Sequence, residues 1–336
     1  MLCALLLACA LDQPKLPFTE KYDAAFAEAR ARNVPVLIVD FDGWTPDRQQ
    51  TQPSAYYEDK EFLAAAESAV LLLCSQEEHA TRREEIDGTA RDVCGAWGGV
   101  PCNAHRDLLP KVFADFGRDG ELVSPLFVVA DADRREVARL EHEQPPTVVT
   151  AALRAAAKKL GPGMPRSDYR ALVGGLAKLR RLQELNEPAA AVALLETLKK
   201  IPGSFAPHAE LKVAEQKLDE AGRGRLQRAN DLWSAGRRLE ALIEADDVRG
   251  SFGKLACVAT AAAQVGGWEK DASVQKADLA ELKAHRAARQ LYQQAVEQER
   301  LGDAKRALAT VEKLLKQHPD SRFTDRARSL RDGLKG

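Results

Sequence analysis

Six cysteines and six histidines are spread along the 336-residue chain, and one neighbourhood gathers several of them. Cys94 and Cys102 flank the segment GAWGGVP, His105 follows in a Cys102-x2-His105 step, and His79 lies upstream. Three chemistries are open to this set. A Cys94–Cys102 disulfide would close a short loop and stabilise by about 2–3 kcal/mol. His79, Cys94, Cys102 and His105 are the nitrogen and sulfur donors that Zn²⁺ takes, at a spacing that matches no strong zinc signature. The third state is two partly buried thiols with neither bond nor metal. A displaced redox pair at Cys94 and Cys102 would need one exposed cysteine of low pKa. No cofactor other than this possible zinc is implied.

The other candidates have simpler readings. Cys74 ends the apolar run AVLLLC and Cys257 lies in LACVATAAA, so both are expected in the core. His142, His208, His285 and His318 are isolated and read as surface residues. Glu77, Glu78, Glu84, Glu85 and Asp87 form an acidic run of the kind that is usually solvated. Arg180-Arg181, Lys199-Lys200 and Arg237-Arg238 are scattered basic pairs with few aromatics near them, which argues against nucleic acid as a partner. Walker, GxGxxG, HExxH and GxSxG patterns are absent from the sequence, leaving no positive case for a nucleotide enzyme or hydrolase.

The elements that must position these residues follow from periodicity. Residues 19–33 read as a helix with Thr19 as its cap, and Val34 to Phe41 as a strand buried on both faces. A loop over 43–53, a helix from Glu58 to Ser68 and a strand from Ala69 to Cys74 come next. A long polar loop is expected over 75–103, then an amphipathic helix from His105 to Phe116. Strands from Pro125 to Ala130 and Glu136 to Leu140, joined by a short turn, must be antiparallel, whereas the first two need a crossover and are expected parallel. A helix from Val148 to Leu160 completes an α-β-α-β-α-β-β-α order with a mixed sheet. Gly161-Pro162-Gly163-Met164-Pro165 cannot continue a helix and marks a boundary.

Residues 166–336 carry no strand-like run. Helical periods are broken at Pro188, Pro202-Gly203, Gly222–Gly224, Gly236, Gly250–Gly253, Gly266-Gly267 and Gly302. Gly236-x4-Ala241-Leu242 matches Gly302-x4-Ala307-Leu308 at an offset of 66, and Ala191-Val192 matches Ala307-Leu308 at an offset of 116. A recurring small residue in each hairpin is the logic of stacked helical repeats.

Composition agrees with this division. With 45% hydrophobic and 29% charged residues the chain is that of a folded protein rather than a disordered one, and its length suggests about two domains. The net charge of −1 is the sum of −8 over residues 1–165 and +7 over 166–336. Oppositely charged halves are expected to dock on one another or to recruit partners of opposite sign. Residues 1–17 read as a leader, because Met1 to Leu11 is apolar throughout, the length of a signal-peptide core, although no Lys or Arg precedes it. Leu6-Leu7-Ala8-Cys9 resembles a bacterial lipobox, which implies acylation of Cys9 and a membrane contact through that lipid alone. The chain is then exported, periplasmic or lipid-anchored; with a mis-called start it would be cytoplasmic.

Residues 18–160 resemble the thioredoxin fold, and most closely its periplasmic bacterial type. VDFDGW (39–44) is similar to that family's junction between strand and active site, and Ser124-Pro125-Leu126-Phe127-Val128-Val129 is similar to its cis-proline segment. The resemblance implies a cis bond at Pro125 and a groove for an extended peptide or protein around Trp44, Thr45 and Pro125. It also places Thr45 and Arg48 where the family carries its two active-site cysteines. Dithiol exchange needs a low-pKa thiolate and a resolving thiol, so the usual site is degenerate and a non-catalytic binding or scaffolding role is implied. A thiol–disulfide activity based on Cys94 and Cys102, or a metal-binding role, is the alternative. The last 50 residues are similar to a degenerate tetratricopeptide repeat, with Leu291, Ala295, Gly302, Ala307 and Pro319 at matching positions and Gln298 where the family has Tyr. That resemblance implies peptide or protein binding.

Overall fold

A computed structural model describes residues 16–41, 54–75, 81–86, 88–94, 97 and 100–335. The chain divides into two compact units that part between Arg170 and Ala171.

The first unit is built on strand β1, Val36–Phe41, all six residues of which are buried. It pairs in parallel with β2, Val70–Ser75, and antiparallel with β5, Leu126–Ala130, which in turn pairs antiparallel with β6, Glu136–Glu141. The sheet order is β2-β1-β5-β6. Side chains alternate along a strand, so β1 serves two cores. Leu37, Val39 and Phe41 pack with Phe62 and Ala66 of α3, Lys60–Glu67, and with Leu153 of α5, Pro146–Leu160. Val36 and Ile38 pack on the other face with Ala25 and Ala29 of α1, Tyr22–Arg32, and Val112 of α4, Cys102–Phe116. A run that is apolar at every position but Asp40, whose Oδ1 accepts the Cys74 thiol, is what a strand between two helical layers requires. The Ser124–Pro125 peptide bond at the start of β5 is cis.

Four expectations need correction. The loop foreseen over 75–103 contains a separate hairpin, β3 (Thr81–Ile86) with β4 (Thr89–Cys94). Its residues are mostly exposed and carry no apolar alternation, so periodicity cannot reveal it. Opposite charges facing each other, as Glu84 on Arg91 and Arg83 on Asp92, support the pairing, and Gly88 at φ +74° supplies the turn. Helix α4 begins at Cys102, not at His105. Helix α1 begins at Tyr22 and Thr19 does not cap it, because Phe18 bridges to Leu71 and the Thr19 N–H donates to the Leu71 carbonyl at 2.8 Å. The helix foreseen from Glu58 is two, α2 (Ser54–Glu58) and α3, with the Asp59 carboxylate accepting the Glu61 and Phe62 N–H groups at 2.9 Å each as the N-cap between them.

The Gly161–Pro165 segment is held against the first unit. Arg32, fully buried, donates to the carbonyls of Met164 (3.1 Å), Ala69 (3.1 Å) and Glu67 (2.6 Å) and pairs with Glu28 at 2.7 Å. Asn33 adds hydrogen bonds to the Leu160 and Pro162 carbonyls. The unit therefore extends into α6, Arg166–Glu184.

The second unit is helical: the rest of α6, then α7 (Pro188–Leu198), α8 (Ala206–Ser234), α9 (Arg238–Ser251), α10 (Ala256–Trp268), α11 (Lys276–Arg300), α12 (Ala304–Gln317) and α13 (Thr324–Lys335). The repeated sequence pattern is a repeated turn. Asn186, Gly236 and Gly302 each take a left-handed conformation, with φ of 56°, 81° and 79°. At each, the N–H bonds the carbonyl three residues back and the following N–H bonds the carbonyl five back, which is the Schellman ending of a helix. Five residues on, Ala191, Ala241 and Ala307 are fully buried. Gly222–Gly224 and Gly266-Gly267, expected as breaks, lie inside α8 and α10. Gly222 is there because Cys257 packs on it and a Cβ would collide with the thiol.

Arg32→Ala is expected to cost about 3–5 kcal/mol, the range for removing one side of a buried charged network. Urea unfolding measures the loss, and hydrogen exchange should show accelerated opening at residues 161–165. Unchanged exchange there would separate Arg32 from that segment.

Candidate functional site

Cys9, Trp44, Thr45, Arg48 and His79 lie outside the described residues. Pro125 borders a small depression with Phe41, Tyr56, Trp97 and Gln144. Cys94 ends β4 and Cys102 opens α4; both are buried thiols, and no disulfide joins them. The loop between them is closed without a covalent link. The Cys94 N–H donates to the Val100 carbonyl at 3.1 Å, Val93 bridges to Pro101, and Tyr57 Oη donates to the Trp97 carbonyl. Trp97 sits among Phe18, Phe41, Tyr56 and Tyr57, with ring centroids 5.5–6.3 Å away.

Burial pushes the Cys102 thiol above its ordinary value and neighbouring Cys94 raises it further, against a lowering influence of Arg106. This is the opposite of the exposed, low-pKa cysteine that thiol exchange needs. His105 is fully buried in the first turns of α4. Among the described residues no three His, Cys, Asp or Glu side chains converge on a point that could hold a metal ion. Cys74 and Cys257 are buried. The Cys74 thiol donates to Asp40 Oδ1 at 3.2 Å, and burial followed by Asp40 pushes its pKa up. Burial and Asp219 push Cys257 up to about 12.

A concavity lies in the helical unit. It has two lobes, of about 340 and 360 Å³, which share Glu187, Ala189, Ser251, Tyr292 and Gln293. The first lobe is polar. Arg225 and Arg228 reach it from α8, and Arg322 and Arg326 come from the start of α13 and the turn before it. Glu187, Glu244 and Asp247 form its acidic floor, and Tyr292 and Phe323 stack beside it at 5.5 Å. The second lobe is lined by Ala189, Ala190, Val192, Ala193 and Val296, together with the Glu297–Arg300 ion pair.

Its shape depends on how α11 is fixed to α9. Asp246, with no solvent exposure, receives Arg289 at 2.8 Å, Arg286 Nε at 2.9 Å and Arg249. Asp247 receives His285 Nε2 at 2.6 Å and Arg289 at 3.0 Å. His285, Arg289 and Gln293 recur every four residues on one face of α11, and Gln293 continues the seam to the Gly250 carbonyl at 3.0 Å. Gly250 is obligatory for steric reasons, since a Cβ there would overlap the Arg289 guanidinium.

Sequence reading missed this site. His285 is buried rather than on the surface, and its partner is 38 residues away. The available signal was the Asp246-Asp247 pair inside the helical stretch ALIEADDV, where Glu244 is the one other polar residue: two adjacent carboxylates flanked by core residues need cationic partners. Among the described residues no helix is long and apolar enough to cross a membrane. No protein-family model matches the chain, and no curated protein matches it.

Burial raises the Asp246 and Asp247 carboxyls. The Arg286 and His285 hydrogen bonds and the Arg289 charge outweigh it, so both end below the ordinary range. A carboxyl whose pKa falls on folding contributes stability that is complete above its unfolded value, about 4, and is lost as pH drops through the folded one. Thermal melts should therefore hold steady from pH 7 to about pH 5 and fall below about pH 4. Asp246→Asn should cost about 3–5 kcal/mol at pH 7 and progressively less in acid; a deficit independent of pH would contradict this account.

Proposed function

We propose that the chain is a non-catalytic binding protein of the cell envelope, with a thioredoxin-like domain that lacks the dithiol and a tetratricopeptide-like domain that holds a segment of another protein. The observation that carries the reading is the two-lobed groove of the helical unit. Its two adjoining lobes differ in chemistry and are bounded by helices locked together through buried ion pairs. Adjoining lobes, one charged and one with small apolar side chains, suit successive residues of a bound chain.

The thioredoxin-like part of the proposal is supported by the sheet order β2-β1-β5-β6 and the cis peptide bond before β5. The three matching Schellman turns, each followed by a buried alanine, support the repeat-like reading of the helical half. Against redox chemistry stand Thr45 and Arg48 in the usual positions and a Cys102 thiol raised by burial. Export to the envelope is proposed from the apolar stretch at residues 1–11 and Cys9.

Two measurements test the proposal. The protein should not accelerate insulin reduction by dithiothreitol; turnover that disappears in Cys94→Ser would overturn the non-catalytic part. Selection from a random displayed-peptide library on the whole chain should yield binders that Ala190→Trp, which fills the apolar lobe, abolishes. Binders indifferent to that substitution would remove the groove as the site.

A further inference from the structure

We infer that the segment bound in this groove is acidic, with a carboxylate seated among the arginines and small apolar side chains extending along the alanine and valine wall; the inference rests on the peptide-binding reading above. The charge distribution of the polar lobe carries it. The carboxylates of Glu187, Glu244 and Asp247 lie deep, 13–21% exposed, while Arg228, Arg322 and Arg326 stand 38–62% exposed above them. Four guanidiniums face three carboxylates, and Asp247 is already engaged by His285 and Arg289 at 2.6 and 3.0 Å.

Two arginines are consequently under-used. Arg322 approaches Glu244 and Asp247 only at 3.9 and 4.0 Å, too far for a hydrogen bond. Arg225 spends a hydrogen bond of 2.7 Å on the neutral amide oxygen of Asn186, and among the described residues no carboxylate lies within ion-pair distance of it. Each guanidinium has five donors in a planar fork that matches a carboxylate. An incoming carboxylate would satisfy donors that the fold leaves open.

The second lobe selects the rest of the ligand. Its apolar part is alanine and valine, with the Glu297–Arg300 ion pair also on the lining, and Gly253, at φ +60°, lets the chain pass where a Cβ would strike Val192. Short apolar side chains fit there, whereas a phosphate chain would leave that lobe unfilled. Tyr292 and Phe323 are stacked on one another, and this suits nucleobases poorly because they need an open aromatic face.

Fluorescence anisotropy on the full chain tests this with labelled peptides. One carries a run of alanine and valine followed by three acidic residues; its isostere has glutamine and asparagine in their place; each is made with a free and an amidated C-terminus. The acidic peptide should bind at least about tenfold tighter than the isostere, with the advantage shrinking as salt rises. Arg225→Gln combined with Arg322→Gln should remove the advantage, with circular dichroism confirming that the helical fold is retained at the assay temperature. Loss on amidation would assign the site to a terminal carboxylate; persistence would assign it to acidic side chains. Equal binding of the isostere would overturn the acidic assignment and leave peptide binding standing. Absence of binding by every peptide, in wild type and Ala190→Trp alike, would overturn the underlying reading itself. Equal competition by a single-stranded oligonucleotide of matching charge would replace a peptide with a general polyanion.

Discussion

The buried contact between Asp246 and Arg289 is the constraint on which the helical unit's binding face depends. A carboxylate without solvent exposure is tolerated only when its charge is matched, and here three arginines do so: Oδ1 accepts hydrogen bonds from Arg286 and Arg249, and Oδ2 faces Arg289 as an ion pair. Because Arg286 and Arg289 come from α11 whereas Asp246, Asp247 and the third arginine, Arg249, belong to α9, the requirement fixes the register of one helix on the other. Gly250 then becomes a consequence, since the guanidinium needs the volume that a Cβ would take. Tyr292 and Gln293 follow on the same helix and form the junction of the two lobes. A charge network that serves packing thus also sets the width of a groove.

The first unit solves a different problem with the same residue type. Its sheet is covered by helices on both faces, so β1 is apolar except at Asp40, which is buried and accepts the Cys74 thiol. What remains is the exit of the chain after α5, where carbonyls at Glu67, Ala69 and Met164 would be left without donors. Arg32 supplies them from a fully buried position. Its aliphatic stem suits the core and its planar head reaches three acceptors. The Gly161–Pro165 segment, although rich in helix breakers, is thereby a packed edge rather than a tether.

The contrast between the two cysteine expectations is instructive. Cys94 and Cys102 were open to a bond, a metal or neither, and spacing could not choose among them. Hydrogen bonds around Trp97 close their loop, and the Cys94 Sγ itself accepts the Trp97 N–H at 3.4 Å. Burial then works against thiolate chemistry, because desolvation disfavours the charged form. The hairpin at residues 81–94 was invisible for a related reason: its stabilisation comes from facing charges and a glycine turn rather than from an apolar face.

What the sequence determined by itself was whatever depends on local periodicity. The buried strand Val36–Phe41, the parallel pairing of the first two strands, the antiparallel pairing of the last two, the helical character after residue 166 and the recurrent glycine–alanine spacing all follow from patterns local to each segment; the antiparallel pairing of β1 with β5 does not. The tertiary structure alone decided what depends on partners distant in the chain. It brought Arg225 and Arg322, 97 residues apart, to one cavity, buried His285 against Asp247, and gave Gly222 and Gly250 their purposes. Periodicity reports which face of an element avoids water. It cannot report which charge will meet that face, because that is settled by the packing of elements whose separation along the chain leaves no local trace.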